Sequence, residues 1–263
     1  MIARTLRVQP RVWIGLVIWI GYIILVFAIQ SATGISYDTW GDSAGNLFVG
    51  AGVSLIIASV LLAITTSLLG WWRPAIHEVR RSHHKWPIFV PILVTVAAVM
   101  NLAGTDWSAY SGAFLGASLV LLLVGFTEEI VHRGLLLTAL RSRFSEVWVW
   151  LFTSALFAVM HFVNVLLGAP FAGTVSQVGA AFLMGTALYI LRRVTGSLIW
   201  AMVLHGLWDF SVFATGVGTP SDITYVANVV YLLTGILGLA VVAFVIRGAD
   251  ERIPPIAATR AAL

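Results

Sequence analysis

Apolar side chains run along this chain in eight long blocks: Val12–Ile29, Gly45–Trp72, Trp86–Ala103, Ala109–Leu140, Val147–Leu167, Val175–Leu191, Gly196–Ala214 and Tyr225–Ile246. A helix rising 1.5 Å per residue crosses the hydrocarbon layer in about 20 residues, so each block predicts one membrane crossing. Gly45–Trp72 and Ala109–Leu140 are longer and are expected to tilt or to project beyond the bilayer. Pro10, Pro74, Pro87, Pro91, Pro170, Pro220, Pro254 and Pro255 fall at or near block edges, which leaves the helix interiors unbroken. The expected fold class is all-α: a polytopic transmembrane helical bundle of about eight spanning helices, forming one integral-membrane domain over residues 1–263.

Composition agrees with that pattern. Of 263 residues, 60% are hydrophobic and 10% charged, against about 45–50% and about 25% in soluble domains. A soluble enzyme, a disordered regulator and a free nucleic-acid binder are excluded. The net charge of +4 needs no nucleic-acid partner, because surplus arginine in a membrane protein marks cytoplasmic loops. The absence of cysteine excludes disulfides, thiolate metal sites and cysteine nucleophiles. The first block follows Arg4, Arg7 and Arg11 as a signal peptide would, but its length reads as a retained helix.

Loop charges orient the bundle. Arg4, Arg7 and Arg11 precede the first block; Arg73, Arg80, Arg81 and Lys85 follow the second; Arg141 and Arg143 follow the fourth. Arg192 and Arg193 follow the sixth, and Arg247, Arg252 and Arg260 the eighth. The other loops hold Asp38, Asp42, Asp106 and Asp222 and no lysine or arginine. Eight spans with both termini in the cytoplasm therefore place 14 of the 15 basic residues inside. The exception is Arg133, within an apolar helix. Two small-residue pairs, Gly112/Gly116 and Ala181/Gly185, offer close helix contacts.

Seven ionisable residues fall inside the predicted helices: Glu128, Glu129, His132, Arg133, His161, His205 and Asp209. A charge near the bilayer centre costs roughly 2.5–3.5 kcal/mol on insertion scales, so such residues need partners or a function. Counted from the cytoplasmic ends, Glu128, His161 and Asp209 each lie about 20 Å along their helices and His205 about 14 Å, which favours one shared site. Residues four apart share a helical face, which pairs Glu129 with Arg133, Glu128 with His132, and His205 with Asp209. Glu128 and Glu129, about 100° apart, point to different sides. Three carboxylates and one arginine leave −2 with neutral histidines, a balance met by proton uptake, a histidinium or a bound cation. Two histidines with nearby carboxylates are a ligand set that zinc accepts.

The motifs point to a family. Glu128–Arg133 reads EExxxR, Phe157–His161 reads FxxxH, and His205–Asp209 reads HxxxN/D, in this order on successive apolar helices. Together they resemble the CPBP intramembrane proteases, which comprise CAAX prenyl endopeptidases of type II and bacteriocin-processing relatives. The resemblance covers residues 109–214, the expected catalytic core. It implies peptide-bond hydrolysis without a covalent intermediate, in a membrane cavity reached from the cytoplasmic side. By position it implies that Glu128 and His161 activate a water and that His205 and Asp209 stabilise the oxyanion or orient its donors. Glu129 and Arg133 would support the site or engage substrate. An ionised Asp209 only accepts hydrogen bonds, so it would instead hold His205, bind a metal or stay protonated. The candidate metal set is Glu128, His161, His205 and Asp209, with zinc the divalent cation favoured. The implied partners are membrane lipid and a peptide or protein C-terminal tail: a prenylated tail is the best-known target of the family, while many bacterial relatives process or respond to peptides. The arginine-rich, lysine-poor composition fits a bacterial cytoplasmic membrane.

Plainer readings stand beside these. His132 has no place in the motif and reads as a packing residue or a local partner of Glu128, Glu129 with Arg133 as a structural ion pair closing a helix interface, Phe157 as core, and Trp208 as a cavity wall. Asn164 lines the cavity or bonds a neighbouring helix. The Arg73–Lys85 segment reads as a solvated surface touching anionic lipid, and its His77, His83 and His84 as adventitious. Buried carboxylates and histidines also suit a proton- or ion-coupled transporter, and the bundle alone would suit a non-catalytic scaffold or immunity protein.

Overall fold

A computed structural model describes residues 6–249. Arg4, Arg252, Arg260, Pro254 and Pro255 lie outside the described residues. Among the described residues, eight helices are long and apolar enough to cross a membrane: α1 (Val12–Ala32), α2 (Ala44–Leu69), α3 (Trp86–Gly104), α4 (Gly112–Leu140), α5 (Glu146–Leu166), α6 (Phe171–Thr195), α7 (Leu198–Thr215) and α8 (Ile223–Ile246). No strand forms among these residues, and the isolated β-bridge they show is His77–Ser197. The chain is a multi-pass integral membrane protein.

Most helix ends shift from the hydropathy blocks by a few residues, α6 starting at Phe171 instead of Val175, and two of the shifts have a clear local cause. Gly70, at φ +71°, ends α2 before Trp71. Trp71 then turns inward, fully buried, with its indole N–H on the Val8 carbonyl at 2.7 Å, and Trp72–Ile76 forms a short helix. At the other boundary, α6 continues through Arg192 and Arg193 because both side chains are buried against acidic partners. Gly196, at φ +79°, caps α6 instead of opening α7. The two longest spans carry irregular turns: π-helical at Phe48–Gly52 in α2 and at Ile130–Leu136 in α4, with a 3₁₀ turn at Leu119–Leu121. π turns cluster at functional sites, and the α4 turn contains His132 and Arg133.

Hydrogen bonds tie the loops into two faces. On the basic face, Arg7 N–H reaches the Leu69 carbonyl, Glu78 N–H that of Gly196, and Ser82 N–H that of Arg193. On the acidic face, Tyr37 N–H reaches the Leu167 carbonyl and Ser221 N–H that of Gly104. Outward stripes such as Trp13, Val17, Ile20 and Ile24 on α1 are exposed, as lipid contact requires and water would penalise. The Gly112/Gly116 pair packs against no other part of the described residues, whereas Gly185 is tightly enclosed.

The decisive crossing is between α4 and α7. A Cβ on Gly125 would overlap the Met202 carbonyl oxygen and lie 2.7 Å from Gly206 N; one on Gly206 would lie 2.7 Å from the Leu122 carbonyl oxygen. Only glycine lets these backbones touch. That contact lies one turn from Glu128 and Glu129 on one helix and beside His205 on the other.

Because the chain has no cysteine, single cysteines report its orientation directly. With the basic face inside, an impermeant maleimide added to intact cells should label Asp38→Cys and Asp222→Cys and spare Arg81→Cys. The reverse pattern would invert the orientation.

Candidate active site

Arg133 is fully buried and donates from Nη1 to Glu129 Oε1 at 2.8 Å, one helical turn away. The same Glu129 oxygen lies 3.1 Å from His205 Nδ1 on α7. A carboxylate only accepts, so His205 Nδ1 carries the donated proton. Its Nε2 is thereby aimed between Glu128 Oε2, at 3.8 Å, and Asp209 Oδ2, at 3.7 Å. Arg133, Glu129, His205, Glu128 and Asp209 thus form one chain from buried to open. Glu129 and Arg133 side chains are wholly enclosed, while Glu128 and Asp209 retain 15% and 34% of their side-chain exposure. Glu128 Oε2 is buried with no hydrogen-bond partner.

Phe157 organises the histidines. The rings of His132, His161 and His205 meet it edge-on with centroids 5.2–5.4 Å away, and the Arg133 guanidinium lies 4.1 Å over its face. That cation–π contact is worth about 2 kcal/mol or more when desolvated. Gly185 of α6 makes the room, since a Cβ there would strike Arg133 Nη2 and lie 3.3 Å from Phe157. The first residue of the FxxxH motif is therefore a platform for the site as well as core.

The three histidines are in different states of commitment. His132 Nδ1 lies 2.7 Å from the Glu128 carbonyl oxygen, and its Nε2 accepts from the Trp19 indole at 3.1 Å. Both nitrogens are used, so His132 is structural, with a Glu128 partner in the backbone and not the carboxylate. His161 Nδ1 lies 2.9 Å from the Phe157 carbonyl, which leaves Nε2 as the acceptor. His161 is brought to His205 through Phe157.

A roof comes from outside the motifs. Asn164 donates to Gln177 of α6 at 3.1 Å, and the Tyr37 hydroxyl engages the same glutamine. Burial, with the nearby Asp209 and Glu128 carboxylates, raises the Tyr37 pKa. Tyr22 of α1 bonds Thr127 at 3.3 Å, one residue before Glu128. Tyr37 belongs to the acidic face, and His161 and Asp209 lie near the acidic-face ends of α5 and α7. With the basic face inside, the cytoplasmic mouth implied by the resemblance is separated from them by most of the length of those helices.

Residues 110–211 match one family model, Rce1-like, described as type II CAAX prenyl endopeptidase Rce1-like. The matched segment holds all three motifs. That segment is similar to the Rce1-like family. No curated protein matches the chain. The Rce1-like match begins before α4 and ends within α7, so Trp19, Tyr22 and Tyr37 brace it from outside its bounds. Mid-helix aromatics in an apolar span carry no sequence signal that separates them from lipid-facing ones.

Glu128, His205 and Asp209 do converge. Yet among the described residues no three His, Asp or Glu side chains are arranged to hold an ion, which needs donors about 2 Å from one point. No step below is routed through a divalent cation.

Toward the basic face lies a second ionic cluster, most of it within the matched segment. Glu78, buried, receives Arg141 at 2.9 Å, Arg192 at 2.5 Å and Arg193. Arg141 also pairs with Glu146 at 2.5 Å, and Tyr189 donates to Glu146 at 2.8 Å. Arg192 further binds the carbonyls of Ala75 at 2.6 Å, Pro74 at 2.9 Å and Arg133. It thereby staples the Trp72–Ile76 helix to the π turn. These arginines are therefore not solvated loop charges, and the Arg73–Lys85 segment is anchored inward by Glu78 and Ser82.

Burial pushes the Glu78 carboxyl up, but the three guanidiniums outweigh it and hold it well below the ordinary range. Glu78→Gln should cost about 3–5 kcal/mol at neutral pH by leaving buried cations unpaired, read as a lower melting temperature in detergent. A depressed carboxyl stabilises above its unfolded pKa of about 4.3 and loses that effect as pH falls. The difference between wild type and Glu78→Gln should therefore be constant from pH 7 to 5 and shrink below that. A difference that grows on acidification would contradict this network.

Proposed function

We propose that this protein is an intramembrane endopeptidase that hydrolyses peptide bonds with water activated by Glu128. The observation that carries the reading is the partnerless Glu128 carboxylate oxygen facing a histidine whose other nitrogen is fixed by a buried acid. The Rce1-like match supports the reaction class.

In this reading, a water at Glu128 gives its proton to the carboxylate as its oxygen attacks the scissile carbonyl carbon. His161 Nε2 accepts a hydrogen bond from the same water and fixes its direction. The proton held by Glu128 then passes to the leaving amine. His205, donating from Nδ1 to Glu129, meets the developing oxyanion with Nε2 in its protonated form. Asp209 shares that Nε2 proton and leaves the oxyanion alone, because a carboxylate cannot donate to it. Glu129 orients His205, and Arg133 balances the charge of Glu129. The substrate proposed is a peptide or protein C-terminal tail held in or beside the bilayer, with a lipidated tail the form favoured.

The test compares new peptide termini in cells expressing wild type or Glu128→Gln at equal abundance. Loss of a proposed general base should lower cleavage by about 10²–10⁴-fold, so specific termini should vanish with the variant. Identical termini from a folded variant would refute the assignment. A chelator decides the part of a metal: cleavage by the purified protein should survive 1,10-phenanthroline. Loss that zinc restores would instead require an ion in a rearranged donor set.

A further inference from the structure

On the basic face, away from the candidate active site, the 80–84 segment, the end of α6 and the end of α8 enclose a cavity of about 500 Å³. Arg80, Arg81, Arg193 and Arg247 line it with His83 and His84, and among the described residues none of the lining is acidic. Cations so gathered raise a positive potential that low-dielectric walls focus.

The pocket is built, not merely charged. Arg193 is held at its wall by Glu78 and by the Arg80 carbonyl at 3.3 Å. The Arg81 stem lies against Gly196, where a Cβ would come within 2.8 Å of it. Ser82, also in the lining, is 3% exposed, and its hydroxyl has no hydrogen-bond partner. A buried hydroxyl without a partner costs about 1–3 kcal/mol, and here it borders a cavity where an acceptor oxygen can sit.

The surroundings indicate where such an oxygen comes from. Trp86 and Phe244, both exposed, meet edge to face at 5.0 Å, and Phe244 meets His84 at 5.8 Å. An exposed tryptophan at a span end marks the level of lipid headgroups. Basic pockets between spanning helices at that level suit phosphate-bearing headgroups.

We propose that this cavity binds the phosphate group of an anionic phospholipid, through Arg81, Arg247 and the Ser82 hydroxyl on a wall fixed by Arg193. It joins the α6 and α8 ends to the segment that carries Glu78.

The test is native mass spectrometry of delipidated protein in detergent, with phosphatidylglycerol or phosphatidylcholine at equal concentration. Phosphatidylglycerol should add one tightly retained lipid and phosphatidylcholine should not. Each arginine near a lipid surface is worth about fivefold in binding. Arg81→Gln with Arg247→Gln should thus weaken retention about 25-fold, and Ser82→Ala several-fold, all at unchanged melting temperature. If Arg81→Gln unfolds the protein, Arg247→Gln alone and Ser82→Ala carry the comparison. Inorganic phosphate at 10 mM distinguishes the sources. Failure to displace the lipid supports the headgroup, whereas binding sensitive to the same variants but satisfied by free phosphate transfers the site to a soluble phosphate. Equal retention of both lipids, or retention indifferent to all variants, overturns the proposal.

Discussion

The structure depends on one buried charge. Arg133 lies inside a membrane-spanning helix with no exposed side-chain surface, and a guanidinium there is tolerable only when paired and hydrogen-bonded. Glu129 supplies the pair from the preceding turn, and Phe157 supplies a π face. Glu129 is then committed, and the oxygen that neutralises Arg133 also fixes His205. Charge compensation and histidine orientation are thus one interaction. That sharing accounts for two adjacent glutamates with opposite fates, one enclosed and one open. Removing Arg133 would leave Glu129 buried and uncompensated, so the pair is maintained as a unit.

Helix packing serves this constraint. Gly125 and Gly206 bring the α4 and α7 backbones into contact, which lets a short histidine cross to a glutamate on the neighbouring helix. Gly185 opens space for the guanidinium on the α6 side. The π turn widens α4 where His132 and Arg133 must point to different partners. Arg192 binds the Arg133 carbonyl in that turn and reaches Glu78 from the same guanidinium. The basic face is in this way coupled mechanically to the helix that carries the site.

Much of this was legible in the sequence because the bilayer imposes simple rules. Span number follows from apolar length, while span ends shift by a few residues and most plainly where a local effect intervenes: Gly70 stops α2 early, and paired arginines prolong α6. The convergence of Glu128, His205 and Asp209 follows from charge economy within apolar helices. What four-residue spacing could not show is which atoms meet. His132 and Glu128 share a helical face as expected, yet the imidazole bonds the backbone oxygen. Glu78 is an ordinary acid among loop arginines in the sequence, and only the folded chain encloses it under three of them. Trp19 and Tyr22 were equally illegible, since lipid-facing and inward aromatics look alike in an apolar block. Placing Phe157 in the core was right and incomplete, because its edge contacts arise from three separate turns.

The central claim is that Glu129 acts on the reaction only through His205. A double-mutant cycle on cleavage turnover, with Glu129→Gln, His205→Asn and the double variant at matched folded fraction, tests it most directly. Residues that act as a unit are strongly non-additive. The double variant should therefore turn over within about twofold of the slower single variant. Losses that multiply across the two substitutions would mean that Glu129 and His205 act independently and would contradict the account.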